Sequence, residues 1–234
     1  MRVINSVADL GLTKKSRLLF VMPHPDDEAV FCSGLIAACT HLGLQVRVVT
    51  CTAGEASTLR HGLATDADLA VVRRKELQTA LQILHVNSEA NWNLPDGKLE
   101  FFSPQLKRLI TKELATFLPT DVFCLEPDGI YGHPDHIALT KIVESIARQQ
   151  CRLWYVTVAP WYQFSTARHM AKKAIIQPIT SEFQLQLWWW QVWLKFLALS
   201  AHRSQFRLLP WQGNTFSHFL KNGIWTNEFF TRGN

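Results

Sequence analysis

The chain has 234 residues, is 47% hydrophobic and carries a formal net charge of +5, which suits one α/β domain with a sizeable core. That charge is mildly basic, and on its own it argues for neither nucleic acid nor an anionic membrane as partner; no nucleic-acid partner is expected. The five cysteines are odd in number, form no C-x-x-C pair and sit in apolar runs, which argues against a disulfide framework and for reduced, buried thiols in a cytoplasmic protein.

The opening residues, MRVINSVADLGLTKKSR, hold no apolar stretch of signal-peptide length, and no later run reaches the roughly 18 apolar residues of a membrane span. RLLFVM reads as a first buried strand. EAVFCSGLIAACTHLG follows as a helix closed by Gly43, and QVRVVTCT is a β-branched second strand. AGEASTLRHGLATDAD has neither period and reads as a long loop, before LAVVRRKELQTALQIL forms a helix with a charged face. ANWNLPDG is a short third strand ending in a turn. SPQLKRLITKELATFL is an amphipathic helix, with Ser103 as its cap and Pro104 at its first position. DVFCLEP is a fourth strand, GIYGHPDHIALTKIVESIARQQ a loop running into a helix, and RLWYVTVAP a fifth strand.

This alternation predicts a Rossmann-like, mainly parallel sheet of order 3-2-1-4-5 flanked by helices. Residues 1–160 form that core. Residues 161–234 lose the alternation and are expected as a tryptophan-rich helical extension packed on the core within the same domain. Eight of the nine tryptophans lie at or beyond Trp154. EFQLQLWWWQVWLKFLALSAHRSQF is read as helical throughout. Trp189, Val192, Trp193, Phe196 and Leu199 share one face of it, and the plain reading is packing on the sheet. The sharper reading is an interfacial helix at the inner membrane face, with Lys172, Lys173, Arg203 and Arg207 meeting anionic lipid. The oligomeric state is left open.

In open parallel sheets ligands bind outside the carboxyl ends of the strands, where the strand order reverses. In the expected order the polar clusters there are PHPDDE after the first strand and EPDGIYGHPDH after the fourth, and they face each other. An acid before a helix is a good cap, but capping leaves His24 unexplained, and three adjacent carboxylates at one strand end call for a nearby positive charge. His24, Asp27 and His136 together make a two-histidine, one-carboxylate set with an open position for water, as hydrolytic zinc sites require. Zinc suits these donors; iron(II), cobalt and manganese are also compatible. Asp26 then remains as a base and His133 as a donor. Glu28 is given only a place near the start of the helix, where its charge suits the dipole.

PHPDDE followed about a hundred residues later by YGHPDH resembles the PIG-L/LmbE family of zinc-dependent N-acetylglucosamine deacetylases. TAGE, RRKEL, LPDG and HRSQ match further family positions in order, so the resemblance covers roughly residues 17 to 206. It implies a Rossmann-like fold and hydrolytic N-deacetylation of an N-acetylglucosamine-containing conjugate, a glycoconjugate or a lipid-linked sugar. It also implies His24, Asp27 and His136 as metal ligands, Asp26 as general base and His133 as oxyanion donor, with Asp135 holding His133 protonated. Tyr131 resembles a mobile tyrosine near the oxyanion, and Arg73 and Asp96 resemble substrate-binding residues. Pro23 stands where the family has a small residue, and Ser33-Gly34 where it often has two glycines. Two alternatives stay open: another metal-dependent hydrolase such as a phosphoesterase, and a non-catalytic glycan- or lipid-binding protein of the same fold.

Overall fold

A computed structural model describes residues 1–60, 63–161, 164–165, 175–176, 178–206 and 225–233. Its elements run β1 (Arg2–Ile4), β2 (Arg17–Met22), α1 (Asp27–Phe31), α2 (Ser33–His41), β3 (Gln45–Thr52), α3 (Asp66–Ile83), β4 (Glu89–Leu94), α4 (Ser103–Phe117) and β5 (Asp121–Leu125). They continue with a single turn α5 (Gly129–Gly132), α6 (Pro134–Ala147), β6 (Arg152–Thr157), the two-residue strands β7 (Phe164–Ser165) and β8 (Ile175–Ile176), then β9 (Phe183–Gln186), α7 (Trp189–Ala201) and β10 (Asn227–Arg232).

The main sheet has the order β1-β9-β10-β6-β5-β2-β3-β4. Five consecutive members, β4-β3-β2-β5-β6, running in from the β4 edge, are all parallel and reproduce the expected order 3-2-1-4-5. β2 and β5 are in register from Leu18 opposite Asp121 to Phe20 opposite Phe123, so their carboxyl ends share one edge. β2 is buried along nearly its whole length, as a parallel strand covered on both faces must be. One apolar layer lies against α1, α2, α3 and α7; the other lies against α4 and α6.

The C-terminal region departs from the all-helical expectation. Phe183–Gln186 is a strand, and β10 pairs antiparallel with both β6 and β9, so this region widens the sheet as well as adding α7. The helix after β2 is broken at Cys32, whose φ/ψ of −145/15 ends α1 and opens α2. The break frees the first amides of α2, and Glu228 on β10 accepts both Gly34 N–H and Leu35 N–H at 2.8 Å. A Cβ at Gly34 would overlap the Leu187 side chain, which is why a glycine suits the site. α4 starts at Ser103 itself, with Phe102 as its cap. The five cysteines are free thiols, four of them buried. Among the described residues no helix is long and apolar enough to cross a membrane. Trp188, Trp189 and Trp193 are exposed on α7 and its cap; Lys172, Lys173 and Arg207 lie outside the described residues.

Candidate functional site

His24 follows β2 directly, and His133 and His136 open α6 just past β5, so neighbouring parallel strands bring the two clusters together. His24 Nδ1, Asp27 Oδ2 and His136 Nε2 form a triangle with edges of 3.3, 3.3 and 3.7 Å. A tetrahedral zinc with bonds of about 2.0–2.1 Å needs donor separations of about 3.3–3.4 Å, so three atoms from two distant segments stand at the spacing a small divalent cation requires. Burial pushes His136 down to about 3, leaving a neutral imidazole. Burial alone would raise Asp27, but His136 and His24 outweigh it and hold the carboxyl below the usual range. Burial pulls His24 down, yet hydrogen bonds to Asp135, Asp27 and Asp96 hold it well above its ordinary value. These acids favour a positive charge at His24, the charge that a divalent cation would supply. His24, His133 and His136 also offer ring atoms within 4.8 Å of one another, so His133 stands beside the same position.

Asp26, immediately before α1, has φ 106 and ψ −26, a sparsely populated region for a residue with a Cβ that costs about 1–3 kcal/mol. Its carboxylate accepts a 3.0 Å bond from Arg73 Nη2. Burial and the neighbouring Asp27 and Glu28 raise it to about 6, against the lowering pull of Arg73 and His202. A carboxylate tuned into that range is well placed for proton transfer near neutral pH.

Arg73 is 4% exposed, and its guanidinium donates to Gly54 O at 2.6 Å, to Pro25 O and to Asp26. These bonds tie Arg73 to the protein's own loops, while its Nε has no hydrogen-bond partner and the side chain lines the cavity described below. A Cβ at Gly54 would overlap that guanidinium, the physical content of the glycine in TAGE. Asp96 likewise turns inward, with Oδ1 3.0 Å from His24 Nε2 and Oδ2 accepting from Ala56 N–H.

The expected pairing of Asp135 with His133 gives way to a different arrangement. The Asp135 carboxylate accepts from Gly97 N–H at 2.7 Å and Leu99 N–H at 3.0 Å, and it faces His24 Nε2 at 3.3 Å. His133 instead caps α6, its Nδ1 accepting Asp135 N–H at 3.2 Å. Burial and the His24 charge lower its pKa. Acceptance at Nδ1 fixes the neutral tautomer with its proton on Nε2, so the ring is a donor without being charged. Tyr131 sits edge-on to His133 and His136 at 5.8 and 5.3 Å between ring centroids, after Ile130 at φ 65.

These groups line a cavity of about 610 Å³ that reaches His24, Asp26, Asp27, Arg73, Asp96, Tyr131 and His133, within the size range of small-ligand sites. Residue-by-residue reading did not anticipate the place of Glu28. It is fully buried, with Oε2 accepting Asp26 N–H at 3.0 Å and Oε1 2.8 Å from His202 Nε2. HRSQ was the signal available for that contact.

A family model described as PIG-L, GlcNAc-PI de-N-acetylase, matches residues 19–147. A 1D-myo-inositol 2-acetamido-2-deoxy-alpha-D-glucopyranoside deacetylase of Corynebacterium glutamicum is 33% identical over 171 residues, 61% of this chain and 56% of that protein. The chain thus spans little more than half the length of this curated relative. The crystal structure of a triple mutant of a deacetylase (Orf2*T) in the teicoplanin biosynthetic pathway is similar with a TM-score of 0.71 at 22% identity, covering 94% of this chain and 99% of that one. GalB, the 4-carboxy-2-hydroxymuconate hydratase from Pseudomonas putida KT2440, is similar with a TM-score of 0.62 at 17% identity, covering 94% and 96%. A deacetylase and a hydratase thus share this fold, and the choice between chemistries falls to the site.

Proposed function

The chain belongs to the PIG-L family of de-N-acetylases, and from that premise we propose that it removes the acetyl group from an N-acetylglucosamine-containing conjugate by metal-dependent hydrolysis. The observation that carries this reading is the triangle of His24 Nδ1, Asp27 Oδ2 and His136 Nε2, of which His24 and Asp27 line the same cavity as the raised carboxylate of Asp26. His24, Asp27 and His136 would hold the metal, and zinc suits two imidazoles and one carboxylate.

A cation bound there supplies Lewis-acid polarisation of the acetamide carbonyl and a water acidic enough to lose a proton near neutral pH. Asp26 takes the proton as the water oxygen bonds to the acetamide carbon. His133 donates its Nε2 proton as a hydrogen bond to the oxygen where negative charge grows, a contribution of about 3 kcal/mol for a well-placed donor. Burial and the Asp27 and Asp26 charges hold the Tyr131 phenol well above its ordinary pKa, so it remains protonated beside His133. The carbon–nitrogen bond then breaks, and Asp26 returns its proton to the leaving nitrogen. Acetate and the free amino sugar result. Asp26 is the better proton carrier of the two candidates, since its pKa is raised while that of His133 is lowered.

Asp26→Asn tests the assignment. The variant is expected to lose at least about a thousandfold in acetate release, within the range of general acid–base catalysis, while binding metal with wild-type stoichiometry. Wild-type turnover in that variant would remove Asp26 from its role.

A further inference from the structure

The residues just after α7 are bonded to three separate walls of the site. His202 reaches Glu28 on α1, and both are fully buried. Ser204 donates from its hydroxyl and its amide to the Glu76 carboxylate at 2.6 and 2.8 Å, on the same helix as Arg73 and one turn further along. Gln205 accepts from the Ser57 hydroxyl at 2.8 Å and lines the cavity. The mechanism above uses none of these groups.

The backbone of Asp26 stands at φ 106, a conformation that persists only where its surroundings over-determine it. Its carbonyl accepts from Ala29 and Val30 N–H, bonds that any residue at a helix start can make. Its own N–H is different, because it goes to a side chain, Glu28 Oε2. A fully buried carboxylate must itself be held by a partner, and His202 Nε2 provides one at the other oxygen. His202 Nδ1 is buried with no hydrogen-bond partner, so in its neutral form the ring donates to Glu28 alone.

We propose that His202 and Glu28 are positioning residues for Asp26: the imidazole of His202 fixes the Glu28 carboxylate, and that carboxylate locks the left-handed Asp26 backbone so that its side chain faces the cavity. The proposal rests on Asp26 as the base, and its test has a readout independent of turnover. In His202→Leu, the Asp26 amide is expected to exchange with solvent at least about tenfold faster than in the wild type, once the bond to Glu28 loosens, while amides in β2 and β5 keep their protection. In the same zinc-loaded variant kcat is expected to fall by about 10- to 100-fold, the scale of a small misplacement, with KM within about twofold. His202→Gln, whose amide nitrogen can reach the place of Nε2, should restore most of both losses. Where His202→Leu does not fold, His202→Asn withdraws the donor and carries the same expectation.

Unchanged protection of the Asp26 amide in the folded variant overturns the proposal, as does a fall in kcat that His202→Gln does not reverse. A wild-type enzyme that releases no acetate would overturn the functional reading instead, and the amide measurement would still decide whether the pair holds Asp26.

Discussion

The two ends of the same parallel sheet solve the burial of polar groups in opposite ways. At the amino ends, Asp121 is fully buried and its oxygens are matched by Trp154 Nε1 at 2.9 Å, Arg152 Nε at 2.8 Å, Arg152 Nη2 at 2.9 Å and Thr120 Oγ1 at 2.6 Å. Arg17 at the start of β2 donates to Phe117 O, and Arg47 near the start of β3 pairs with Glu113 and Ser88. At the carboxyl ends, Asp26 and Ile130 have positive φ. Glu55 Oε2, Arg73 Nε, Glu126 Oε1, His136 Nδ1 and His202 Nδ1 are buried there without a hydrogen-bond partner. Positive φ occurs at both ends, at His85 and Leu118 before β4 and β5 as well, so the difference lies in the polar groups. One end matches them, whereas the other keeps unmatched ones near a cavity, where a site built for chemistry is expected.

The contrast can be broken by variants at either end. The largest effect on folding is expected at the amino end. Asp121→Ala leaves Arg152 and Trp154 without their acceptor and should cost about 3 kcal/mol, allowing for the partial exposure of Arg152, or about 6–12 °C in Tm for a chain of this size. Acetate release per folded molecule should stay as in the wild type; a calorimetric midpoint that did not move, or a kcat that fell with it, would erase the distinction.

A smaller effect, on chemistry, is expected from Arg73→Met at the carboxyl end. Arg73 lowers Asp26, so its removal makes the base protonate more readily. The acidic limb of the pH–rate profile should move upward by about one pH unit, equivalent to about 1.4 kcal/mol. A limb that moved downward or stayed in place would separate Arg73 from Asp26.

The smallest effect concerns Glu126 after β5, which burial raises from 4.5 to about 7 against hydrogen bonds from Thr157 and Ile179. The folded chain keeps a proton there that the unfolded chain releases, so stability falls as pH rises through that window. Glu126→Gln should therefore raise Tm by a few degrees relative to the wild type at about pH 8 and by much less at about pH 5. Equal differences at both pH values would show that the Glu126 charge is not the cause.

Much of the sheet was legible because its signals are local. Buried apolar runs alternating with amphipathic segments give the strands, and crossover logic gives the order 3-2-1-4-5. β9 and β10 were not legible in the same way. FQLQ alternates with period two, a strand signal, but it runs straight into WWWQVWLKF, and its hydrogen-bond partners in β1 and β10 are remote in sequence. At the site, His24, Asp27 and His136 can be grouped from donor chemistry and strand order. The inward turn of Arg73 and Asp96, the capping role of His133 and the burial of Glu28 against His202 depend on side-chain directions set by tertiary packing, which spacing alone does not carry. TAGE and HRSQ mark where those contacts fall without saying what they touch.

The central claim is that a metal held by His24, Asp27 and His136 drives removal of an acetyl group from an amino sugar. Its most direct test is acetate release by the purified chain from a panel of N-acetylglucosamine conjugates, including the inositol, malate and chitobiose forms, after chelation and again after zinc add-back. Release from at least one conjugate, lost on chelation and restored by about one equivalent of zinc per chain as a single metal site requires, is the predicted result. Release that survives complete metal removal, or no acetate from any conjugate in the zinc-loaded protein, would contradict the account.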